Sequence, residues 1–347
     1  MDGAVLLYAV ISPPRFMKAV LRRALASTPL IRRSMRRLLG HGEVTVLMYH
    51  TLSDDGYGIS AWTAVRRSSF LQQMEWLRQH YDIVSVSEAM DDSCRGGGRP
   101  RAVLTFDDGE SGLHRVLLPV IERERLPVTI YVATGQIESG QAYWFDRLIN
   151  AAQVAESVTL ALPGTGSFRL EPHDEERAWR LLSAVLTHLK TLECEKREAL
   201  TSYLVSELAK GPSRRVKPLR PMSREELAEL SASPWVTIGA HTHGHELLDQ
   251  ISTDAARGTI ETSRDLLKDW TGRPVEHFAY PNGNHNRQLM EMVHDLGFLS
   301  GMSTRHGLWV DQANRFSIPR IPVGRYDDLD RFKLALLGGP ANVLKAL

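Results

Sequence analysis

Short apolar runs alternate with longer amphipathic segments through most of the chain. Seven runs are rich in β-branched and aromatic residues and end at polar positions; they are residues 44–50, 101–108, 127–134, 235–243, 276–283, 297–304 and 316–324. Helical spacing of apolar residues is found between them, at residues 70–80, 113–124, 255–270 and 286–296. Near-continuous apolar strands that alternate with helices are typical of a parallel sheet covered on both faces. The pattern predicts an α/β fold, and seven repeats favour a closed or nearly closed barrel.

A long polar stretch, at about residues 145–230, separates the third run from the fourth. Two segments within it, 175–189 and 195–209, have helical spacing, and no strand is evident in most of the stretch. The segment GPSRRVKPLRP (211–221) has the composition of an exit linker. Because loops at the C-terminal ends of barrel strands carry function, we expect an inserted helical subdomain close to the site.

Size and cysteine content narrow the class of protein. A chain of 347 residues and 38.9 kDa predicts one large domain with an insertion, or two domains. The two cysteines, Cys94 and Cys194, form no CxxC pair, which excludes a disulfide framework and a cysteine zinc cluster. A reducing compartment is the simpler interpretation.

The N-terminal segment carries the basic character of the chain. Residues 1–40 contain eight basic side chains and only Asp2 as an acid, although the net charge of the whole chain is +1. The rest of the chain is therefore acidic on balance, so we expect no nucleic acid as a partner. The apolar stretch 4–12 is shorter than the roughly 20 residues that a spanning helix needs. Its charge order does not match a secretory signal, and we expect a cytoplasmic protein.

Apolar residues recur at helical spacing from Phe16 to Leu39, with arginines between them and a break near Pro29. This pattern predicts a basic amphipathic arm at residues 1–41. Two interpretations stay open: peripheral contact with an anionic membrane at the inner membrane surface, or packing on the protein's own body. The barrel is expected at residues 42–330, followed by a C-terminal helix or tail at 331–347.

Two predicted strand ends carry the candidate chemistry. TFDDG (105–109) follows the second run, and two adjacent acids at a turn can direct one carboxylate to a metal and the other to substrate. AHTHGHE (240–246) follows the fourth run. Its His241 and His245 converge on one cation if the backbone turns helically there. Asp108 completes a set of two histidines and one carboxylate, with His243 as the alternative ligand.

TFDDG and HTHGH together resemble the first two motifs of the polysaccharide deacetylase family, also called carbohydrate esterase family 4 or the NodB-homology domain. The resemblance extends from about residue 46 to residue 324, interrupted by the predicted insertion. It implies a distorted (β/α)7 TIM-like barrel that hydrolyses an N-acyl group on an amino sugar. It also implies one divalent metal held by Asp108, His241 and His245, with Asp107 as the general base. Zinc is the default, and manganese, iron or cobalt would be accepted.

The third motif is matched with two departures. FAYPNG (278–283) resembles it and implies that the backbone N–H of Asn282 donates to the oxyanion, but Ala279 replaces its arginine and Asn282 its aromatic residue. We expect Arg320 to supply the missing guanidinium. The family's late histidine, its general acid, has no clear match.

The remaining assignments concern the acid and the substrate. His50, at the end of the first run, is the first candidate for the acid or for a substrate contact. Trp144 and Tyr280 are candidate substrate-binding residues, Trp144 as an aromatic floor for a sugar ring or as a core residue of the insertion.

The sequence thus predicts a metal-dependent N-deacetylase of a glycan or glycolipid precursor. Two alternatives stay open: a deformylase of a lipid-linked amino sugar, and a catalytically inactive glycan-binding barrel. The intact Asp107 argues against the inactive barrel.

Overall fold

The computed structural model describes residues 43–54, 61–91, 99–155, 158–162, 166–171, 175–210, 218–310 and 314–336. The predicted N-terminal arm (1–41), Cys94 and most of the predicted C-terminal tail lie outside these residues. No described helix has the length and apolarity that crossing a membrane requires.

Twelve strands are formed by the described residues. They are β1 (Val44–Tyr49), β2 (Thr51–Ser53), β3 (Ala64–Arg66), β4 (Asp82–Ile83), β5 (Arg101–Phe106), β6 (Val128–Val132), β7 (Val158–Leu162), β8 (Gly166–Leu170), β9 (Val236–Ala240), β10 (His277–Ala279), β11 (Ser300–Met302) and β12 (Ile321–Pro322). Seven of them form one parallel sheet in the order β11-β10-β9-β6-β5-β1-β12, and β4 also pairs with β5. Every residue of β1, β5 and β6 is buried, as expected for strands covered on both faces.

The two edges of this sheet are joined by one short segment. Ile321 pairs with Leu47 of β1, while Ile318 forms a parallel bridge with Met302 of β11. The sheet therefore curls into a nearly closed barrel. The prediction of an α/β fold with a seven-stranded, TIM-like barrel is confirmed, and all seven predicted runs contain a strand of the sheet.

Helices fill the connections between these strands. They are α1 (Arg67–His80), α2 (Val86–Met90), α3 (Leu118–Glu124, preceded by a π-helical turn at Leu113–Leu117), α4 (Thr134–Ser139), α5 (Trp144–Val154), α6 (Glu175–Lys190), α7 (Cys194–Leu208), α8 (Arg224–Ala232), α9 (Thr253–Thr271), α10 (Arg287–Asp295) and α11 (Leu329–Ala335). Their apolar faces pack on the sheet and form the main core with it. Leu227 and Leu230 of α8 belong to this core, so α8 covers the barrel.

Helices α5, α6 and α7 form a second layer with its own core, here called the insert (residues 144–219). Leu148, Leu189 and Leu204 are buried in that core. The side-chain amide of Asn150 bonds both the N–H and the C=O of Leu219, which joins the entry of the insert to its exit. The insert also contains an antiparallel hairpin of β7 and β8. The sequence predicted a helical subdomain and did not reveal this hairpin, because its two strands are only five residues long.

Candidate active site

The loop after β5 directs two adjacent carboxylates to different partners. The backbone of Asp108 has φ of 74° and that of Gly109 has φ of 80°, so two successive left-handed residues turn the chain. A side chain at Gly109 would also place Cβ 3.0 Å from Val132. Asp107 and Asp108 are 3% and 5% exposed, and the loop therefore presents two buried carboxylates at the C-terminal end of the sheet.

His241 and His245 follow β9 at the same end of the barrel. The expected helical turn between them is absent, since residues 241–247 form no helix. Left-handed backbone at Thr242 (φ 63°) and His245 (φ 58°) brings the two imidazoles together instead, with ring centroids 4.9 Å apart. Such conformations are costly for residues other than glycine and persist where the surrounding structure imposes them. The hydroxyl of Thr242 is buried and has no hydrogen-bond partner among the described residues.

Asp108, His241 and His245 form a compact cluster of possible metal ligands. Oδ1 of Asp108 lies 3.4 Å from Nε2 of His241 and 3.3 Å from Nε2 of His245, and the three ligand atoms lie within 4.8 Å of one another. Nδ1 of His241 donates to the carbonyl of Ala279 at 2.7 Å, which leaves Nε2 free to face the cluster. One carboxylate and two imidazoles are a donor set that suits zinc and other first-row divalent ions, so these residues fit such a metal.

The charges within this cluster compensate one another. Burial alone would raise the pKa of Asp108, but hydrogen bonds from His241 and His245 hold that pKa well below its usual range. Burial likewise opposes ionisation of His241, and the bond to Asp108 outweighs it and raises the pKa of that imidazole. The cluster therefore favours an ionised carboxylate facing a positive charge.

His243 does not belong to the cluster. Its Nδ1 lies 2.9 Å from Oγ1 of Thr134, and its Nε2 lies 3.9 Å from Glu138 on α4. The alternative of His243 as a ligand is therefore not supported by the geometry.

Asp107 is held by Arg320 in a bidentate ion pair. Both guanidinium nitrogens donate to the carboxylate at 2.7 Å, and Arg320 is fully buried. The Nε of Arg320 donates to the carbonyl of Ser303, and Nη1 also contacts the hydroxyl of Thr105, so the guanidinium has one defined orientation. Burial alone would raise the pKa of Asp107, but the charge of Arg320 outweighs it and lowers that pKa. Asp107 is thus ionised at neutral pH.

The loop that contains Asn282 lies beside these residues, after β10. Asn282 has φ of 54°, and its carbonyl accepts a bond from the hydroxyl of Thr304 at 3.0 Å. Gly283 has φ of 77°, and a Cβ there would lie 2.0 Å from the same hydroxyl, so only glycine fits. Ala279, buried in β10, supplies the carbonyl that orients His241.

His50 lies close enough to Asp107 and Asp108 to feel their charges, and it contacts Trp62. The ring of His50 contacts the ring of Trp62 edge to face at 5.7 Å, and its Nδ1 has no hydrogen-bond partner among the described residues. Burial lowers the pKa of His50, although Asp108 and Asp107 oppose this effect. His50 is therefore a neutral imidazole near pH 7.

The two candidate substrate-binding aromatic residues serve packing in this structure. Trp144 packs on the core of the insert, with the guanidinium of Arg197 5.4 Å from its ring centroid. Tyr280 is fully buried, stacks on His285 and donates its hydroxyl hydrogen bond to the carbonyl of Phe316. Tyr280 therefore presents no open ring face to a sugar, whereas Trp144 is half-buried.

Other aromatic residues contact the cluster and were missed by the sequence analysis. Tyr143 donates to the backbone carbonyl of Asp108 at 2.5 Å, and its ring lies 5.4 Å from that of His245. The ring of Phe145 lies 5.6 Å from His245 as well. Tyr143, Trp144 and Phe145 all lie in the run AYWFDRL, where helix α5 begins at Trp144.

A second pair of buried acids, Glu110 and Asp146, lies behind the first loop. Burial and the neighbouring Asp146 raise the pKa of Glu110 well above its usual range. Burial raises the pKa of Asp146 to about 7, against a hydrogen bond from Glu110 that favours its ionised form. The two groups therefore share a proton at neutral pH.

Comparison with known proteins links this site to a protein family. A family model described as polysaccharide deacetylase matches residues 183–300, a range that contains the second and third motifs. The resemblance inferred from the motifs is thereby confirmed. No curated protein matches the chain.

Several solved structures share the fold. The deacetylase PplD from Streptococcus pyogenes, in complex with acetate, is 17% identical, with a TM-score of 0.57 over 86% of this chain and 99% of that one. BC0361, a polysaccharide deacetylase from Bacillus cereus, is 16% identical, with a TM-score of 0.52 over 85% of this chain and 69% of that one. IcaB from Ammonifex degensii is 18% identical, with a TM-score of 0.50 over 86% of this chain and 97% of that one. At these identities the likeness establishes the fold alone.

Proposed function

We propose that this protein is a metal-dependent hydrolase that removes an N-acetyl group from an amino sugar of a glycan or glycolipid precursor. The observation that carries the proposal is the buried cluster of Asp108, His241 and His245 beside the ionised Asp107. The family match supports the substrate class. A buried acid that is oriented by arginine and lies next to a ligand set is an arrangement that supports metal-assisted amide hydrolysis.

Asp108, His241 and His245 would hold one divalent ion, and we propose zinc. When bound, that ion supplies Lewis acidity, which polarises an amide carbonyl and makes water more acidic. The carbonyl of Ala279 fixes the tautomer of His241 for this role, as outer partners of ligating histidines commonly do.

The residues of the chain supply the proton transfer. Asp107 accepts a proton from the attacking water, whose oxygen forms the new bond to the acyl carbon. Arg320 keeps the carboxylate of Asp107 ionised and orients it. It thereby takes the role of the third-motif arginine, whose position is occupied by Ala279. The N–H of Asn282 is proposed to donate to the developing oxyanion. His50, as a neutral imidazole, is proposed to donate a hydrogen bond to the substrate. As the C–N bond breaks, the proton taken up by Asp107 is transferred to the leaving nitrogen, which yields acetate and a free amine.

The experiment measures acetate and amine released from N-acetylglucosamine oligomers. The protein is stripped with a chelator and then restored separately with Zn²⁺, Mn²⁺, Fe²⁺ or Co²⁺. We expect equal amounts of acetate and amine, no turnover after stripping, and recovery with at least one metal. Release of formate from N-formyl analogues alone would favour the deformylase, and no product from any N-acylated sugar would contradict the proposal.

A position at the inner membrane surface is proposed from the sequence of residues 1–40. Each basic residue near an anionic surface contributes about 1 kcal/mol, and salt weakens this attraction. The full-length protein should co-sediment with anionic vesicles at low salt. A variant with Arg32, Arg33, Arg36 and Arg37 changed to Gln should bind less. Equal binding by both proteins, or no binding by either, would contradict this location.

A further inference from the structure

One cation of the insert reaches the rim of the candidate active site. Lys190 is the last residue of α6, and its Nζ donates to Oδ1 of Asn282 at 2.9 Å. Asn282 is exposed at this rim, in the loop proposed to bind the oxyanion. The contact joins the insert to the barrel at the place where the resemblance predicts an aromatic residue.

The charge of Lys190 has no fixed counterion among the described residues. Other lysines of the insert contact acids: Lys196 lies 3.0 Å from Glu193, and Lys210 lies 2.5 Å from Glu207. No described carboxylate lies within salt-bridge distance of Lys190, whose one hydrogen bond there goes to a neutral amide. An ammonium group has three donors, so two of them remain for a ligand.

The surroundings of the site leave this charge uncompensated. Arg320 already neutralises Asp107, and His241 and His245 face Asp108. Partial removal from water lowers the pKa of Lys190, while the nearby charge of Asp108 raises it. A lysine at a helix C-terminus interacts favourably with the helix dipole. This interaction does not explain why Lys190 contacts the loop of Asn282, because it needs no such contact.

We propose that Lys190 is a specificity residue that binds an anionic group, a phosphate or a carboxylate, on the glycan next to the amino sugar. This inference rests on the proposed function and narrows its substrate class to charged glycans. A cation with free donors at the edge of a site recognises anions through charge-assisted hydrogen bonds.

The test compares three substrates of equal length. They are a neutral N-acetylglucosamine tetramer, the same tetramer with a phosphate monoester, and a tetramer that contains uronic acid units. We expect the wild type to prefer one anionic tetramer at least tenfold in kcat/KM, which identifies the anion. Lys190→Met should lose this preference, with less than threefold change on the neutral tetramer, and Lys190→Arg should retain it. Lys196→Met, at an exposed ion pair of the insert, is the matched control and should behave as wild type.

Binding separates this inference from the proposed function. Calorimetry with the metal-loaded Asp107→Asn protein should show tighter binding of the preferred anionic tetramer than of the neutral one, and Lys190→Met should abolish the difference. If no protein hydrolyses any tetramer, the proposed function fails, and this binding result alone decides the role of Lys190. Equal losses on neutral and anionic tetramers, or binding that ignores Lys190, would overturn the inference.

Discussion

Two pairs of buried acids lie at the same mouth of the barrel, and their surroundings give them opposite charge states. Arg320 faces Asp107, and two histidines face Asp108, so both pKa values fall although burial opposes ionisation. Glu110 and Asp146 face each other instead, and both of their pKa values rise. Burial alone therefore does not decide whether a carboxyl group is ionised. The opposite charge beside it does, and this separates the candidate catalytic pair from the pair that retains a proton.

The largest effect is expected from removing one of the two histidines that face Asp108 in the candidate metal site. His245→Ala should reduce bound metal and acetate release to background, because two ligand atoms remain. His243→Ala is the matched control and should retain both, since His243 faces Thr134 and Glu138. Metal analysis and turnover on the same preparations check this. Full metal occupancy in His245→Ala would show that the ligands lie elsewhere.

A smaller effect is expected from weakening the ion pair between Arg320 and Asp107. Arg320→Lys keeps the charge but loses the bidentate geometry, so activity should fall by roughly 10- to 100-fold, as for other outer partners of catalytic groups. The pKa of Asp107 should rise, which moves the acid limb of the pH–rate profile to higher pH. Arg305→Lys, nearby in the chain, serves as the control. An unchanged acid limb would show that Arg320 does not tune the base.

The second pair should make folding less stable as pH rises. Because the folded-state pKa of Asp146 is about 7, above its unfolded value, the folded protein holds a proton that is lost as pH rises through 7. Asp146→Asn should reduce this dependence, with Glu110 retaining its own part, and raise the free energy of unfolding at pH 8 by roughly 2–4 kcal/mol. Denaturant unfolding at pH 5, 6.5 and 8 measures it, with the exposed Glu193→Gln as control. Equal pH dependence in wild type and Asp146→Asn would show that the pair is not protonated.

A buried base without a charged partner extends the comparison. His277, at 0% exposure, contacts the hydroxyls of Ser87 and Ser300, and burial lowers its pKa to about 4. The unfolded chain therefore binds the extra proton between about pH 4 and 6.5, and stability falls as pH decreases. From pH 7 to 5 this costs about 2 kcal/mol. His277→Gln should unfold with less acid sensitivity, whereas the exposed His294→Gln should match wild type.

The difference between the barrel and the insert also explains how much of the fold and of the candidate site could be predicted from the sequence. Each barrel strand carries its chemistry at its C-terminal end, so TFDDG and the HTHGH histidines could be placed together from the order of runs alone. The left-handed residues Thr242 and His245 could not be foreseen, because polar residues give no reliable signal for that conformation. Contacts of the insert depend on how its helices pack on the barrel. For this reason Lys190, Tyr143 and Phe145 escaped prediction.

The central claim is that Asp107 is the base of a metal-dependent deacetylation and not a metal ligand. Asp107→Asn preserves the size of the side chain, but its amide nitrogen can accept neither the second hydrogen bond of Arg320 nor the proton of water. Metal content and acetate release should be measured on the same sample of this variant and of wild type. We predict wild-type metal content with acetate release lowered at least about 10²-fold. Acetate release at the wild-type rate, or loss of the metal together with the activity, would contradict the account.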